Sequence, residues 1–389
     1  MNIYLDNSAT TKICREALEK YNEVSEGTFG NPSSLHGMGL LAERELDAAR
    51  KAILATLMDK TSEVVFTASG TEANNLAIIG RATSKERYRR GSRIITTEGE
   101  HASVNMPLDM LSKMGFEVVK IPTVGGRLDM NALKAALTPS VILVSMMMVN
   151  NETGALYDIA QVSRLMRSAS PEAILHVDAT QSYLKVPFTK KSIGADMITL
   201  SSHKIEGPKG AGALIIDSAV IKSRGISPII LGGGQEGGLR SGTENVPAVA
   251  AFGTAARLGY ASLTERYERM SALRGMLIST IENDARLSDI SITKPDSFAP
   301  HILNITLPSI KSETMLHFLS SKGIFVSSGS ACSSNSNHIS SALIAFGRSE
   351  SEADSSIRIS FSHRNTPSDV EALCEGLREG LSRLARVHK

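Results

Sequence analysis

Seven short runs of mostly apolar residues alternate with amphipathic helical stretches through the first two thirds of the chain. The runs are residues 64–67, 93–97, 117–121, 141–148, 174–178, 197–201 and 212–216. Most of them are apolar throughout, as is typical of strands that are buried on both faces of a sheet. Strands that alternate with helices predict an α/β fold in which a mainly parallel, seven-stranded sheet is covered on both faces.

The pattern changes after residue 247. A long helical stretch over residues 247–284 precedes separate β-like runs and further helices, which predicts a smaller α+β domain. The chain has 389 residues, more than one hydrophobic core usually holds. The expected parts are an N-terminal segment 1–12 that packs with the small domain, a large domain 13–255 and a small domain 256–389.

Composition excludes several classes of protein. Lys and Arg number 42 and Asp and Glu number 40, so no charge excess points to direct binding of nucleic acid or of an anionic membrane. No apolar run reaches the ~18 residues of a membrane helix. Three cysteines are too few for a disulfide scaffold or a zinc site of four thiolates, and we expect no metal. A low cysteine count suits a reducing compartment, so we expect a cytoplasmic protein.

Residues with unusual chemistry gather where the predicted strands end, which is where open α/β sheets bind ligands. Residues 69–72, Ser-Gly-Thr-Glu, follow the first run and open a helix. Their small side chains and the positive end of the helix dipole suit a phosphate group. A plain helix cap at Thr71, with Glu72 complementing the dipole, is the alternative.

Three further strand ends each carry a polar group with two interpretations. His101 can stack on a planar ligand or shuttle protons, or it can be structural. Asn151 lies in a segment that can bond a ligand hydroxyl or form an Asx turn. Asp178 closes an apolar strand, where a buried carboxylate needs a partner. That partner can be a protonated cofactor ring nitrogen or a helix N-terminus.

Lys204 lies just past an apolar run, where desolvation favours the free amine that a Schiff base needs. A solvated loop lysine is the alternative. Residues 232–234, three glycines, and residues 240–243 can approach a phosphate or form a flexible surface loop. Together these groups supply a phosphate cup, an acid for a ring nitrogen, an amide for a hydroxyl and an imine-forming amine. That set predicts pyridoxal 5'-phosphate as the cofactor.

The motifs that carry a family resemblance lie in residues 4–11, 30–36, 71–75, 100–101, 149–154, 176–181, 201–210, 232–236, 240–245, 327–332 and 356–360. In these segments the chain resembles the NifS/IscS-type cysteine desulfurases of the class V aminotransferase group, which are fold type I pyridoxal phosphate enzymes. The resemblance implies a large domain with a mainly parallel seven-stranded sheet and a smaller α+β domain. The sequence differs from the usual family pattern after Arg358, where residues 360–364 read Ser-Phe-Ser-His-Arg.

The resemblance implies a role for each matching residue. Lys204 would hold the cofactor as a Schiff base, Asp178 would pair with its pyridine nitrogen, and His101 would stack on its ring and move protons. The other implied contacts are Asn151 and Gln181 near the ring hydroxyl, Gly70, Thr71, Ser201 and His203 at the phosphate, Thr243 at the phosphate of a partner subunit, and Arg358 with Asn31 at the substrate carboxylate.

Cys332 lies in a segment rich in Ser and Asn, residues 327–341, whose composition is typical of a mobile loop. The resemblance makes its thiolate the nucleophile that takes sulfur from the substrate and carries it as a persulfide. Cys14 and Cys374 fall in helical patterns, and we expect them to be structural, because buried thiols behave as small hydrophobes.

The resemblance as a whole implies a pyridoxal phosphate-dependent cysteine desulfurase that converts L-cysteine to L-alanine. The Cys332 persulfide would pass to a sulfur-acceptor or scaffold protein in iron–sulfur cluster assembly or tRNA thiolation. A homodimer with shared active sites is expected. The alternatives are a selenocysteine lyase or a cystine-type lyase of the same fold, and a non-catalytic partner or regulator that retains the fold.

Overall fold

The computed structural model describes residues 2–85, 91–307, 310–328 and 339–384. Its strands are β1 (Ile3–Tyr4), β2 (Glu63–Thr67), β3 (Arg93–Thr97), β4 (Glu117–Ile121), β5 (Val141–Met147), β6 (Ile174–Asp178), β7 (Met197–Ser201), β8 (Gly212–Ile216), β9 (Ser291–Ile292), β10 (Ile302–Thr306), β11 (Ile324–Phe325), β12 (Ser327–Ser328) and β13 (Ser356–Ser360). Its helices are α1 (Arg15–Gly27), α2 (Gly37–Thr56), α3 (Gly70–Ala82), α4 (Ala102–Lys113), α5 (Met130–Ala136), α6 (Ile159–Ala169), α7 (Lys190–Ile193), α8 (Ser218–Lys222), α9 (Val246–Ala261), α10 (Leu263–Asn283), α11 (Ser312–Ser321), α12 (Ser341–Phe346), α13 (Glu350–Asp354) and α14 (Pro367–Leu384).

The seven predicted runs form one sheet with the strand order β2-β8-β7-β6-β5-β3-β4. The pairs β3–β4, β3–β5, β5–β6 and β6–β7 are parallel, which confirms the predicted mainly parallel α/β sheet. Strand β8 is antiparallel to both β7 and β2. The reason is the short connection over residues 202–211, because a parallel return needs a crossover of a dozen or more residues. This connection carries Lys204 at the carboxyl end of β7.

Two hydrophobic clusters cover the two faces of this sheet. Successive strand residues point to opposite faces, and the neighbours Val64 and Val65 accordingly belong to different clusters. The first cluster takes its helical residues largely from α1, α2 and α9, and the second takes them mainly from α3 and α4. The predicted burial of the strands on both faces is therefore confirmed for all but the edge strand β4, of which only Ile121 is buried.

A third cluster lies around a four-stranded antiparallel sheet with the order β12-β13-β10-β9. Helices α10, α11 and α14 supply much of this cluster, and the N-terminal segment joins it through Ile3 and Leu5. Strand β1 pairs in parallel with β11. The structure divides the predicted helical stretch 247–284 at Ser262, because α9 packs with the first cluster and α10 with the third. The domain boundaries at residues 12 and 255 stay predictions.

A helix that crosses a bilayer needs about 20 predominantly apolar residues. None of the helices in the described ranges is both long and apolar enough to do so.

Candidate active site

A cavity of about 460 Å³ lies at the edge of the large sheet where β2, β3, β5, β6 and β7 have their carboxyl ends. Residues that follow each of these strands line it, as the rule for open α/β sheets predicts. The N-terminal segment contributes Asp6, Ser8 and Ala9, and the small sheet contributes Ser327 and Arg358. The predicted site residues that line this cavity are Gly70, Thr71, His101, Asn151, Asp178, Gln181, Ser201, His203, Lys204 and Arg358.

The start of helix α3 forms one part of the cavity wall. Ser69 caps the helix by accepting a hydrogen bond from the Glu72 N–H at 3.1 Å, so the alternative of a cap at Thr71 is wrong. Gly70 and Thr71 occupy the first turn, whose N–H groups have no partner within the helix. A Cβ on Gly70 would lie 3.2 Å from Thr180 Oγ1 and 3.3 Å from the Cβ of Ser201, so a larger residue here would crowd both side chains. The arrangement suits an anionic group.

Asp178 ends β6 and is buried at the cavity. Its Oδ2 accepts a hydrogen bond from Asn74 Nδ2 at 2.8 Å, and its Oδ1 accepts one from the Thr180 N–H at 2.9 Å. The bond from the Thr180 N–H closes a local turn. Asp178 is therefore not a helix cap, which was the alternative interpretation. Each carboxylate oxygen has more than one lone pair, so Asp178 can still accept a hydrogen bond from a ligand.

His101 is the N-cap residue of α4, and its Nδ1 accepts a hydrogen bond from the Ser103 N–H at 3.1 Å. Burial lowers the pKa of the imidazole. The charge of Asp178 opposes this shift, while the charges of Lys204 and Arg358 add to it. The lowered pKa favours the neutral form of the ring.

The N-terminal segment holds the turn that bears Lys204. Lys204 Nζ donates to the carbonyl oxygens of Ser8 and Ala9, the latter at 2.9 Å. The N–H and hydroxyl of Thr11 both donate to the His203 carbonyl, at 2.9 and 2.7 Å. The amine is thereby kept at the cavity by backbone contacts from a distant part of the chain.

Two other predicted cofactor contacts also bond to this segment. Gln181 Nε2 donates to the Ser8 carbonyl at 3.0 Å. His203 Nδ1 lies 3.0 Å from the Thr10 hydroxyl. Burial lowers the pKa of His203 to about 4, and Lys204 and Lys209 add to the shift, so this ring is neutral at pH 7.

Arg358 reaches the cavity from strand β13 of the small sheet. Its Nη1 donates to the Asn151 carbonyl and its Nη2 donates to Asp6 Oδ1, both at 2.9 Å. Burial raises the pKa of Asp6, and Arg358 opposes that rise. Arg358 Nε is buried and has no hydrogen-bond partner among the described residues. Nη1 and Nη2 each carry two hydrogens, and the bonds to Asn151 and Asp6 use one of each. The guanidinium therefore retains donors for a carboxylate.

Several polar residues of this region were not assigned a role by the sequence analysis. Asp6, Asn74 and Ser103 line the cavity, and Glu100 is buried behind it. Asn74 follows Thr71 by three residues and so lies on the same face of α3, a spacing that could have revealed it. The buried position of Glu100 depends on how β3 and β5 pair, and no local pattern shows that pairing.

Three predicted site residues do not line this cavity in the part of the chain that the structure describes. Asn31 is exposed, and its Oδ1 accepts a hydrogen bond from the Ser33 N–H at 2.9 Å. Thr243 is also exposed. Cys332 lies outside the described residues. The roles of all three stay predictions.

The flanks of the segment that contains Cys332 are described, and one of them lines the cavity. On one side Ser327 lines the cavity and pairs with Arg358 in the small sheet. On the other side the Ser340 hydroxyl donates to the carboxyl of Glu152, next to Asn151.

The residues at this cavity fit pyridoxal phosphate. The first turn of α3 with the hydroxyls of Thr71 and Ser201 suits a phosphate, Asp178 suits a ring N–H, and Lys204 supplies an amine. Within the described residues no group of three or more His, Cys, Asp or Glu side chains could hold a metal ion.

Comparisons with known proteins concern almost the whole chain. A family model described as aminotransferase class-V matches residues 3–373. The chain is 39% identical over 393 residues to a NifS/IcsS protein homolog of Lactobacillus delbrueckii subsp. bulgaricus, with 99% of each protein covered. It is 36% identical over 383 residues to cysteine desulfurase IscS 1 of Archaeoglobus fulgidus, with 98% of this chain and 97% of that protein covered.

Solved structures agree with these relatives. A NifS-like protein superposes with a TM-score of 0.90 at 33% identity, covering 98% of this chain and 100% of the other. A structure described as SspA in complex with cysteine superposes with a TM-score of 0.79 at 31% identity, covering 94% of this chain and 100% of the other.

Proposed function

This chain belongs to the class V aminotransferase family, and we propose that it is a pyridoxal phosphate-dependent cysteine desulfurase. The reaction converts L-cysteine to L-alanine and leaves the sulfur as a persulfide on Cys332. The observation that carries the proposal is the convergence of Lys204, Asp178, His101 and Arg358 on one cavity. The chain's similarity to cysteine desulfurases extends over nearly its full length, which supports the same conclusion.

Each of these residues has a chemical task. Pyridoxal phosphate, when bound, supplies an electron sink that stabilises negative charge at the Cα of an amino acid. The Asp178 carboxylate would pair with the proton of the cofactor's ring nitrogen. Lys204 would hold the cofactor through its amine, and the same nitrogen would take the Cα proton of the substrate. Arg358 would bind the substrate carboxylate, and His101 would stack on the cofactor ring.

Cys332 completes the reaction in this proposal. Its thiolate forms a bond to the sulfur of the substrate while the bond between that sulfur and Cβ breaks. The electron pair of the broken bond stays with the carbon skeleton, which takes up protons and leaves as L-alanine. The enzyme thiol thus becomes a persulfide, and cysteine becomes alanine with no other reactant. The described flank at Ser327 lines the cavity, and the other flank, at Ser340, bonds to Glu152 next to the cavity residue Asn151. Both positions support access of this segment to the substrate.

We further propose a homodimer with shared active sites, in which Thr243 bonds the phosphate in the partner's cavity. The exposed position of Thr243, away from its own chain's cavity, supports this role. The persulfide would pass to an acceptor or scaffold protein in iron–sulfur cluster assembly or tRNA thiolation. A cytoplasmic location belongs to the same proposal, because the thiol must be reduced again after each turnover.

The test is to measure alanine and sulfide formation from L-cysteine by the purified protein with pyridoxal phosphate and a thiol reductant. We expect equal amounts of both products. Cys332→Ser should lose sulfide release and keep the visible absorbance of the bound cofactor. Cys14→Ser is the matched control, because Cys14 is the N-cap of α1, where serine is a favoured residue. Sulfide release by Cys332→Ser at the wild-type rate would refute the role of Cys332.

Substrate comparison separates the proposal from the related lyases. A cysteine desulfurase should form alanine from L-cysteine, and this activity should depend on Cys332. A protein that forms alanine from selenocysteine only, or that acts on cystine and not on cysteine, would contradict the assignment.

A further inference from the structure

Asn74 and Ser103 form a hydrogen-bonded chain between Asp178 and His101. Asn74 Nδ2 lies 2.8 Å from Asp178 Oδ2 and 2.8 Å from the Ser103 hydroxyl oxygen. That oxygen lies 2.9 Å from His101 Nδ1. Asn74 is buried in α3 and Ser103 is buried in the first turn of α4, so two helices meet in this chain.

The assignment of donors and acceptors along these hydrogen bonds starts at Asp178. Its Oδ2 accepts a hydrogen bond, so the NH₂ group of Asn74 must face it. The same group reaches the Ser103 oxygen, and its two hydrogens are then used once each. Asn74 Oδ1 is buried with no hydrogen-bond partner in the described ranges. Turning the amide over would place this oxygen against the carboxylate, so the orientation shown is the one that the site allows.

The donor and acceptor between Ser103 and His101 are assigned in the same way. Its hydroxyl oxygen already accepts a hydrogen bond from Asn74, so its own hydrogen is available to His101 Nδ1. The backbone N–H of Ser103 also donates to Nδ1, at 3.1 Å. A ring nitrogen that accepts these bonds carries no proton. Because Nδ1 is occupied by helix α4, Nε2 is the ring nitrogen left for the cavity that His101 lines.

The charged surroundings of His101 act in the same sense as these bonds. His101 lies at the N-terminus of α4, where the helix dipole disfavours a positive charge. The charged groups that affect the ring are Asp178, which raises its pKa, and Lys204 and Arg358, which lower it. Burial is the largest contribution, and it lowers the pKa.

We propose that Asn74 and Ser103 are positioning residues that hold His101 as the neutral imidazole with its proton on Nε2. His101 then serves the cavity as a hydrogen-bond donor through Nε2, and the basic nitrogen that takes the substrate proton is that of Lys204. This inference rests on the proposed function, since it assigns the working form of His101 at the same site. Asn74 also orients Asp178. One amide thus positions both the carboxylate proposed for the cofactor's pyridine nitrogen and, through Ser103, the imidazole of His101.

The test is nitrogen NMR of the holoenzyme labelled with ¹⁵N-histidine. The chain has nine histidines, and His101→Gln identifies the signals of His101 by their loss. Couplings from the carbon-bound ring protons show which nitrogen carries hydrogen. We expect an unprotonated Nδ1 and a protonated Nε2 at pH 7 to 8. A proton on Nδ1, or a doubly protonated ring, would overturn the proposal.

Ser103→Ala tests the part played by the hydroxyl. It removes one donor to Nδ1 and leaves the backbone N–H in place. We expect the midpoint of the His101 titration to rise by about half a pH unit or more, with an equal shift of the acid limb of alanine formation. Ser112→Ala, an exposed serine of the same helix, should leave both unchanged. An unchanged midpoint in Ser103→Ala would refute the role of Ser103.

The two readouts separate this inference from the proposed function. A wild-type enzyme that forms alanine but carries a proton on Nδ1 disproves the inference and leaves the function intact. A protein with the expected ring nitrogen signals and no alanine formation disproves the function, and with it the catalytic meaning of the inference.

Discussion

Arg358 of strand β13 donates a hydrogen bond at 2.9 Å to the carboxylate of Asp6 in the N-terminal segment. The same guanidinium donates to the Asn151 carbonyl from the large sheet. Three parts of the chain therefore meet at the side chain that we propose binds the substrate carboxylate. The planar, forked geometry of arginine makes this possible, because separate nitrogens serve separate acceptors.

Arg358→Lys should therefore weaken substrate binding more than it affects the chemical step. A lysine keeps the charge but cannot serve both acceptors and a substrate carboxylate in fixed directions. We expect KM for L-cysteine to rise about tenfold or more, equivalent to ~1.4 kcal/mol or more, with the cofactor absorbance unchanged. Arg286→Lys, at an exposed position, is the control. Equal KM values for Arg358→Lys and the wild type would contradict the assignment.

Glu100 should make the stability of the protein depend on pH. Its carboxylate accepts hydrogen bonds from the Thr97 hydroxyl and the Met147 N–H, yet burial raises its pKa from 4.5 to about 8. Between these pH values the folded protein holds a proton that the unfolded chain has lost. The contribution to stability therefore falls as pH rises from about 5 to about 8, by about 1.4 kcal/mol per pH unit.

Glu100→Gln should remove this dependence, because glutamine stays neutral at every pH in the window. We expect the difference in thermal midpoint between the variant and the wild type to grow in favour of the variant from pH 5 to pH 8. Above pH 8 the difference should level off. Glu98→Gln, an exposed neighbour, is the control. Parallel curves of thermal midpoint against pH for Glu100→Gln and the wild type would disprove the raised pKa.

Gly212→Ala should displace the wall of the cavity at α3. Gly212 pairs with both Thr67 and Ser201 in the sheet. A Cβ at this position would lie 2.5 Å from the carbonyl carbon of Ser69, where backbone atoms leave no room. We expect a loss of about 1–3 kcal/mol of stability and weaker binding of pyridoxal phosphate. Both follow from denaturation and from titration of the cofactor absorbance.

Gly275→Ala is the matched control for that change. A Cβ on Gly275 meets no atom of the described residues within 4 Å, and Gly275 lies inside α10. Alanine is the better helix former there, so we expect a gain of about 0.5–1 kcal/mol. If Gly212→Ala were as stable as Gly275→Ala and bound the cofactor equally well, the close approach of Gly212 to Ser69 would be refuted.

Ser340→Ala should destabilise the protein by two separate losses. Ser340 is the N-cap of α12 and accepts a hydrogen bond from the Leu343 N–H at 3.2 Å. Its hydroxyl also donates to the buried carboxyl of Glu152. The cap contributes about 1 kcal/mol, and leaving Glu152 without its donor costs about 1–3 kcal/mol more. Thermal or chemical denaturation measures the sum.

Ser349→Ala separates the two losses. Ser349 caps the next helix, α13, at an exposed position, and its hydroxyl donates to the partly exposed carboxylate of Glu352 in the same capping box. We expect Ser349→Ala to lose the capping-box contribution without leaving a buried carboxyl unpaired. Equal destabilisation by Ser340→Ala and Ser349→Ala would show that the bond to Glu152 contributes nothing.

The large sheet was predictable from sequence because its strands are buried on both faces and therefore read as continuous apolar runs. The direction of β8 was not read from the runs themselves. It follows from the length of the connection over residues 202–211, which is too short for a parallel return. The division of the predicted helical stretch at Ser262 also escaped the sequence analysis, because α9 and α10 differ in the cluster against which they pack and not in helical pattern.

The candidate site was likewise predictable from sequence only in part. The sequence by itself determined which strand ends carry chemistry, since a polar group directly after an apolar strand is a local signal, as at Asp178 and Lys204. Only the tertiary structure decided the contacts between those ends and distant segments. Asp6 meets Arg358, and Asn74 meets Asp178, through pairings more than a hundred residues apart in sequence. Such contacts depend on how strands and helices pack, and no local pattern of residues encodes the packing of two segments against each other.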